Sequence, residues 1–335
     1  AWVCWISITL WFIISLPALL YKPKKSNKKA KNVEFVVASV ANNKVKNALF
    51  KTINQLIKQF PNYKIWLIVD EGASLIDELK SIHKNIKLVV VPSEYRRDLI
   101  GKGRALNYFV ENYVRDNIWY CMMDDDNIIA DDSFLYEIPY YESKGYVACN
   151  GILKPSSSTP NLCTLMDYIR LLDDLTIFTF ATGLLSMPIA GFHGELLCIK
   201  GSVLKKLKPF DERTLAEDFV LSCKIVKRKL KTWRSSTYVY IQSPKRIKDL
   251  IIQRARWYKG IIKYLPKAPL LTKIFVGWRM IIWGIGIFGS WAFAPLWFLW
   301  HSPPYTSIGS MGGLVYWAIY LYGCAKLKKP QYVFA

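Results

Sequence analysis

Three adjacent carboxylates, Asp124, Asp125 and Asp126, stand behind an aromatic and hydrophobic run in "YCMMDDDNII" (120–129). Two carboxylates two residues apart can share one hard cation such as Mg2+ or Mn2+, which keeps positions open for phosphate oxygens. Such an ion would turn an acidic knot into a site for a diphosphate; the bland alternative is a solvated acidic loop. Three further stretches suit the same chemistry. In "GKGRALN" (101–107), Lys102 and Arg104 open a helix, where cationic side chains and free backbone N–H groups hold phosphate, or merely face water. In "LAEDF" (215–219), Glu217 and Asp218 sit in an apolar frame that suits a general base, or simply begin a helix with acidic residues. "QRARW" (253–257) supplies Gln253, Arg256 and Trp257 from a basic, aromatic, amphipathic stretch that also reads as a helix lying on a membrane surface.

The elements that must position these groups alternate. Residues 33–40, 63–70, 86–91 and 118–124 are buried-strand runs separated by helical stretches, which predicts a parallel, doubly wound α/β sheet. Such sheets bind ligands outside the carboxyl ends of their strands. Asp70 and Asp124–Asp126 fall at those ends. An uncharged run over 175–190, broken by Gly183 and Pro188, is too short to span a bilayer. It predicts an interfacial or buried helix with Asp167, Arg170, Asp173 and Asp174 on its polar approach.

Composition sets the surroundings. Positive charge exceeds negative by 21, hydrophobic residues make up 52% and there are 13 Trp in 335 residues. Residues 1–21, 280–300 and 305–325 carry no charge and are long enough to cross about 30 Å of hydrocarbon as helices. This predicts a multi-pass protein of the cell membrane: a span over 1–21, a basic linker over 22–32, a catalytic domain over 33–270 and spans over 276–300 and 305–325. Interface helices are expected near 161–190 and 245–265. The lysines of "KPKKSNKKAK" (22–31) and "KLKK" (326–329) place the middle region in the cytoplasm by the positive-inside rule. A signal peptide is the rival reading of the N-terminal run, but no basic segment precedes it and no small-residue cleavage site ends it. Seven Cys with no CxxC pair suit reduced thiols. Lysine clusters beside spans are better explained by orientation and anionic lipid than by nucleic acid, and uncharged spans argue against a transporter.

In order, "VDEG" with Asp70, "GKGRALN", "DDD", "AED" and "QRARW" resemble the membrane-integrated family 2 glycosyltransferases of the cellulose, chitin and hyaluronan synthase type. The likeness covers about 33–270, and K-x-R-A-L with "QRARWYKGI" is most similar to the egghead-type β-mannosyltransferases. The resemblance implies a GT-A (Rossmann-like) fold, a Mn2+ or Mg2+ cofactor and a nucleotide-sugar donor, GDP-mannose rather than a UDP-sugar. It implies that Asp70, with Ser39 nearby, contacts the base and that Lys102 and Arg104 face the diphosphate. Asp124 and Asp126 would form the metal pair, with Asp124 and Asp125 also bordering the donor. Asp218, seconded by Glu217, would be the base, and Gln253, Arg256 and Trp257 would hold the diphosphate and line the acceptor entrance. "GFHGELLCIKG" (191–201) matches the acceptor-proximal region, so His193 and Glu195 are expected to touch the acceptor. Two features depart from the pattern: "ASVANN" replaces the usual P-x-Y-N-E opening, and Arg104 replaces a small residue, which argues against a cellulose-type enzyme. Transfer by one displacement with one base inverts the anomeric centre. A membrane-associated, lipid-linked glycan is the expected acceptor, and processive polymer synthesis is the alternative.

Overall fold

Val33–Ser39 (β1) is buried almost throughout, as expected of a strand covered on both faces. It pairs in parallel with Lys64–Asp70 (β2) on one side and Trp119–Met123 (β4) on the other; β2 pairs in parallel with Ile86–Val91 (β3). The computed structural model describes residues 2–156, 161–281 and 306–334. Four more strands extend the sheet: Ile128–Ile129 (β5), Tyr146–Pro155 (β6), Leu197–Lys200 (β7) and Lys231–Ile241 (β8). The order is β3-β2-β1-β4-β7-β6-β8-β5. The four strands predicted from sequence are present, within two residues, and parallel. The other half is mixed, because β7 runs antiparallel between β4 and β6 while β8 lies parallel to β6.

Helices cover both faces. Lys46–Gln59 (α2) and Ser133–Ser143 (α5) pack Leu49, Ile53, Leu56 and Phe134 on one face. Gly101–Asn112 (α4, after the short α3 at Ile76–Lys80), Gly201–Leu207 (α7) and Glu217–Lys227 (α8) pack Leu106, Phe109, Leu204 and Leu221 on the other. This is the Rossmann-like arrangement expected.

The structure does not support the first and third predicted spans as membrane-crossing helices. Trp2–Ser15 (α1) has 14 residues, roughly 21 Å at 1.5 Å each, and Pro17 then turns the chain into a 3-10 segment, Leu16–Leu20. Thr306–Leu327 (α11) is longer but opens on small and polar residues, and Gly323 lies against Leu165 and Tyr168 of Leu162–Asp173 (α6). Among the described residues no helix is long and apolar enough to cross a membrane. Of the second expected span only 276–281 is described, in a helix that runs from residue 270 (α10); the remainder lies outside the described residues.

Of the two readings of the 175–190 run, the structure takes the buried helix, as far as Leu184. α6 continues into π-helical turns, Asp174–Phe178 and Phe180–Leu184, with Thr176, Ala181 and Thr182 buried. Its supposed polar approach is internal: Asp167, Asp173 and Asp174 are buried, each paired with an arginine from elsewhere, Arg254, Arg279 and Arg234 respectively. Six cysteines among the described residues are free and buried.

Candidate active site

Because β1, β2 and β4 are parallel, their carboxyl ends open on one edge, and this brings Ser39, Asp70 and the Asp124–Asp126 loop together. The Ser39 hydroxyl donates to Asp125, and the Thr52 hydroxyl of α2 bonds the carbonyls of Asp125 (3.1 Å) and Asn127 (3.0 Å). The loop is thus held from below by Ser39 and Thr52. Burial raises the Asp125 carboxyl, and the Ser39 bond partly offsets this. Burial, then the charges of Asp124, Asp125 and Glu195, push Asp126 up to about 7, and among the described residues no cation pairs with it.

Asp124 does have a cation: Lys102 Nζ, from the first turn of α4. Gly194 permits this closeness, since a Cβ there would meet Lys102 Nζ at 3.3 Å and Asp124 Oδ2 at 3.5 Å. The N-terminus of α8 faces the same space, and Lys102, Gly194, Phe210, Glu217 and Asp218 line one small pocket. Burial works against the Lys102 ammonium, but Asp124, Glu217 and Asp218 outweigh it and hold its pKa above the ordinary lysine range. Burial, followed by the charge of Glu217, pushes Asp218 up to about 7; burial also raises Glu217, opposed by Lys102. A carboxyl poised near neutrality beside a fixed ammonium suits a general base.

The residues that could hold a cation are Asp124 and Asp126. Among the described residues no three His, Cys, Asp or Glu side chains gather into a closed metal cage. Two crowded carboxylates, one of them partly buried without a counter-charge, fit a hard divalent ion that keeps open positions for phosphate oxygens.

Arg104 lies away from this pocket. Its Nη1 pairs with Asp70 Oδ1 at 2.6 Å, its Nε donates to the Tyr95 carbonyl at 2.8 Å and its Nη2 to the Pro92 carbonyl. Expected to face the diphosphate, it is instead spent on Asp70 and the 92–95 loop, because two residues along α4 from Lys102, about 200° around the helix, the side chain turns toward β2.

The "QRARW" residues belong to Ile247–Tyr264 (α9). Arg254 Cζ lies 4.4 Å and Arg170 Cζ 4.8 Å from the Trp257 ring centroid. Arg254 also pairs with Asp167, which accepts from Ser243 at 2.5 Å. Arg256 is exposed, with its charge felt at Glu217, and Gln253 Oε1 is buried without a partner. His193 and Glu195, expected to touch an acceptor, are 8% and 7% exposed and held in a buried network. Sequence reasoning missed two members of that network, Arg234 on β8 and Asn150 on β6, both fully buried. An arginine inside the strand run "KTWRSSTYVYI" was the one available clue.

The family model described as Glycosyl transferase family group 2 matches residues 119–325, and that of Glycosyl transferase family 2 matches 36–182. The β-1,4-mannosyltransferase egh of Drosophila melanogaster is 24% identical over 252 residues, 71% of this chain and 54% of that protein. The β-1,4-mannosyltransferase bre-3 of Caenorhabditis briggsae is 23% identical over 265 residues, 74% of this chain and 57% of that protein. The chain therefore spans about half the length of these curated relatives. Among solved structures, the mannosyltransferase PcManGT from Pyrobaculum calidifontis, in complex with GDP-Man and Mn2+, superposes with a TM-score of 0.56 at 16% identity, covering 99% of this chain and 96% of that one. That likeness is one of fold.

Proposed function

The chain belongs to the family 2 glycosyltransferases, and we propose that it transfers mannose from GDP-mannose, with inversion, to a glycan acceptor carried at a membrane surface. The observation that carries this reading is the convergence of Lys102, Glu217 and Asp218 on one pocket beside Asp124. The choice of mannose rests on the mannosyltransferase relatives.

In the transfer, Asp218 takes the proton of the acceptor hydroxyl as that oxygen bonds to the anomeric carbon, and the bond from that carbon to the diphosphate breaks. Charge developing on the diphosphate is met by Lys102 and by Arg256 at the pocket rim. A divalent cation, Mn2+ or Mg2+, held by Asp124 and Asp126 would supply further neutralisation of the leaving group. One base suffices for a single displacement, which gives a β-linked product from an α-linked donor. Ser39, Asp70 and Asp125 border the base end of the donor, with Arg104 bracing Asp70. Trp257, fixed under two guanidiniums, and the 193–195 loop form the acceptor side.

Seating at a lipid surface is supported by an unpartnered apolar stripe. α9 buries only Leu250, Gly260 and Tyr264, while Ile251, Ile252 and Ile262 are 57–63% exposed beside Lys248, Lys259 and Lys263. Leu270 and Ile274 continue the stripe on α10. Apolar residues fringed by lysines suit an anionic leaflet, with the lysine-rich linker favouring the cytoplasmic face. An acceptor anchored in that leaflet, as a lipid-linked glycan is, would reach Asp218 without leaving the bilayer. Incubation with GDP-mannose, UDP-glucose, UDP-GlcNAc and UDP-galactose, with and without Mn2+, tests the reading: mannose transfer or GDP release is expected, and turnover of the UDP-sugars alone would replace it.

A further inference from the structure

His193 has a carboxylate oxygen 3.1 Å from each ring nitrogen: Asp174 Oδ2 hydrogen-bonds Nε2, while Glu195 Oε2 lies as close to the buried Nδ1 but off the line of a hydrogen bond, an ion-pair contact. A neutral imidazole has one N–H and one lone pair, so in this setting it would press its lone pair against a carboxylate. The surroundings are built to keep the arrangement. Asp174 is 1% exposed and sits in the π-helical turn that ends α6; its Oδ2 also accepts from Arg234 Nη2 and from the Leu153 N–H at 2.6 Å. Asn150 donates to the carbonyls of His193 (3.0 Å) and Glu195 (2.9 Å) and accepts from the His193 N–H (3.1 Å), so the loop cannot swing the ring away. Glu195 is met on its far side by Arg170 Nη2 at 3.6 Å. One contact opposes a cation: Arg234 Nη2 lies 3.2 Å from Nε2. Phe178 closes the remaining side with its ring edge-on to the imidazole at 5.7 Å.

We propose that His193 is a fixed imidazolium bridging Asp174 to Glu195, and that Asp174 and His193 are positioning residues that hold the Glu195 carboxylate on the acceptor side of the pocket. The charges point the same way. Burial opposes protonation of His193, but Asp174 raises its pKa above the ordinary value; burial likewise opposes ionisation of Glu195, but His193 and Arg170 hold it down at about 2. The first π-helical turn begins at Asp174 itself, and such bulges often mark functional sites. The functional part of this inference rests on the sugar-transfer reading; the protonation state does not.

Two measurements separate those parts. The chain contains three histidines, so the ring nitrogens of His193 can be assigned in 15N-histidine-labelled protein by their loss in H193Q. Both are expected to be protonated at pH 7.5. A single protonated nitrogen, the neutral form accepting from Arg234, overturns the proposal whatever the protein transfers. In transfer assays, loss of the bridge is expected to raise the acceptor KM while nucleotide affinity stays unchanged. D174N, which removes the charge that holds the proton, should move the alkaline limb of kcat/KM to lower pH by roughly one unit or more. If D174N fails to fold because Arg234 is stranded, H193Q leaves the Asp174–Arg234 pair intact, and in it the limb should disappear. An unmoved limb in whichever of the two variants folds, or equal losses of nucleotide and acceptor binding, would overturn the positioning role.

Discussion

Gly260 of α9 lies directly on Ala216, the residue before the Glu217–Asp218 pair: a Cβ at 260 would come within 2.9 Å of both the Cβ and the backbone nitrogen of Ala216. The helix carrying Gln253, Arg256 and Trp257 is therefore set against the start of α8 at a point where no side chain fits. Overpacking of this kind costs about 1–3 kcal/mol or forces the elements apart. Gly260→Val should separate the "QRARW" groups from Asp218 and lower transfer roughly a hundredfold, as misplacement by about 1 Å can. Nucleotide affinity should change far less. Initial rates and nucleotide titrations check this, and a valine variant with wild-type turnover would refute the contact's importance.

Asp218→Asn keeps the shape of the side chain and removes the base. Transfer should fall about 10²–10⁴-fold while nucleotide binding persists. The pH dependence has a defined sign. With its pKa pushed up to about 7, Asp218 is protonated and inactive below neutrality, so kcat/KM should rise through about pH 7. That acid limb should be missing from the residual activity of Asp218→Asn.

Asp126 gives a prediction in stability. Its carboxyl, pushed up to about 7 in the fold, lies above the ordinary value of 3.8, so ionisation is disfavoured in the folded state. Below about pH 4 the group costs nothing; the penalty grows as pH rises and is complete above 7. Without divalent cations, Asp126→Asn should therefore melt higher than wild type at pH 8 and the same at pH 4. Adding Mn2+ at pH 8 should raise the wild-type Tm and not that of the variant. Thermal melts in EDTA and in Mn2+ measure both.

Arg104→Lys should not substitute for arginine. A lysine cannot reach Asp70, the Tyr95 carbonyl and the Pro92 carbonyl together, because the guanidinium fork is what spans them. Leaving partly buried carbonyls unmet costs about 1–3 kcal/mol. Calorimetry should show weaker nucleoside-diphosphate binding and intact inorganic diphosphate binding, whereas equal loss of both would put Arg104 back at the diphosphate.

The legible part of this protein is the part built locally. Asp70 and Asp124 are found by the parallel-strand rule because each ends its own buried run, and Lys102 and Asp218 because each opens a helix. What was not legible depends on long-range pairing. Asn150 and Arg234 lie opposite each other on β6 and β8, strands whose partnership no local pattern announces. Asp167, Asp173 and Asp174 read as a solvated face because their arginines come from 60 to 106 residues further along the chain. The N-terminal apolar run satisfies length and composition, but its α-helix stops at Ser15, ahead of Pro17 and a 3-10 segment. Arg104 was misdirected by the motif around it, since spacing along α4 does not say which strand end a side chain will meet.

The central claim is a guanine nucleotide in this pocket with a mannosyl donor. Isothermal titration of the protein with GDP and with UDP in Mn2+ tests it most directly. GDP should bind more tightly than UDP, and its affinity should fall when Asp126 is replaced by Asn. Clearly tighter binding of UDP would contradict the account and move the enzyme toward glucosyl or N-acetylglucosaminyl transfer.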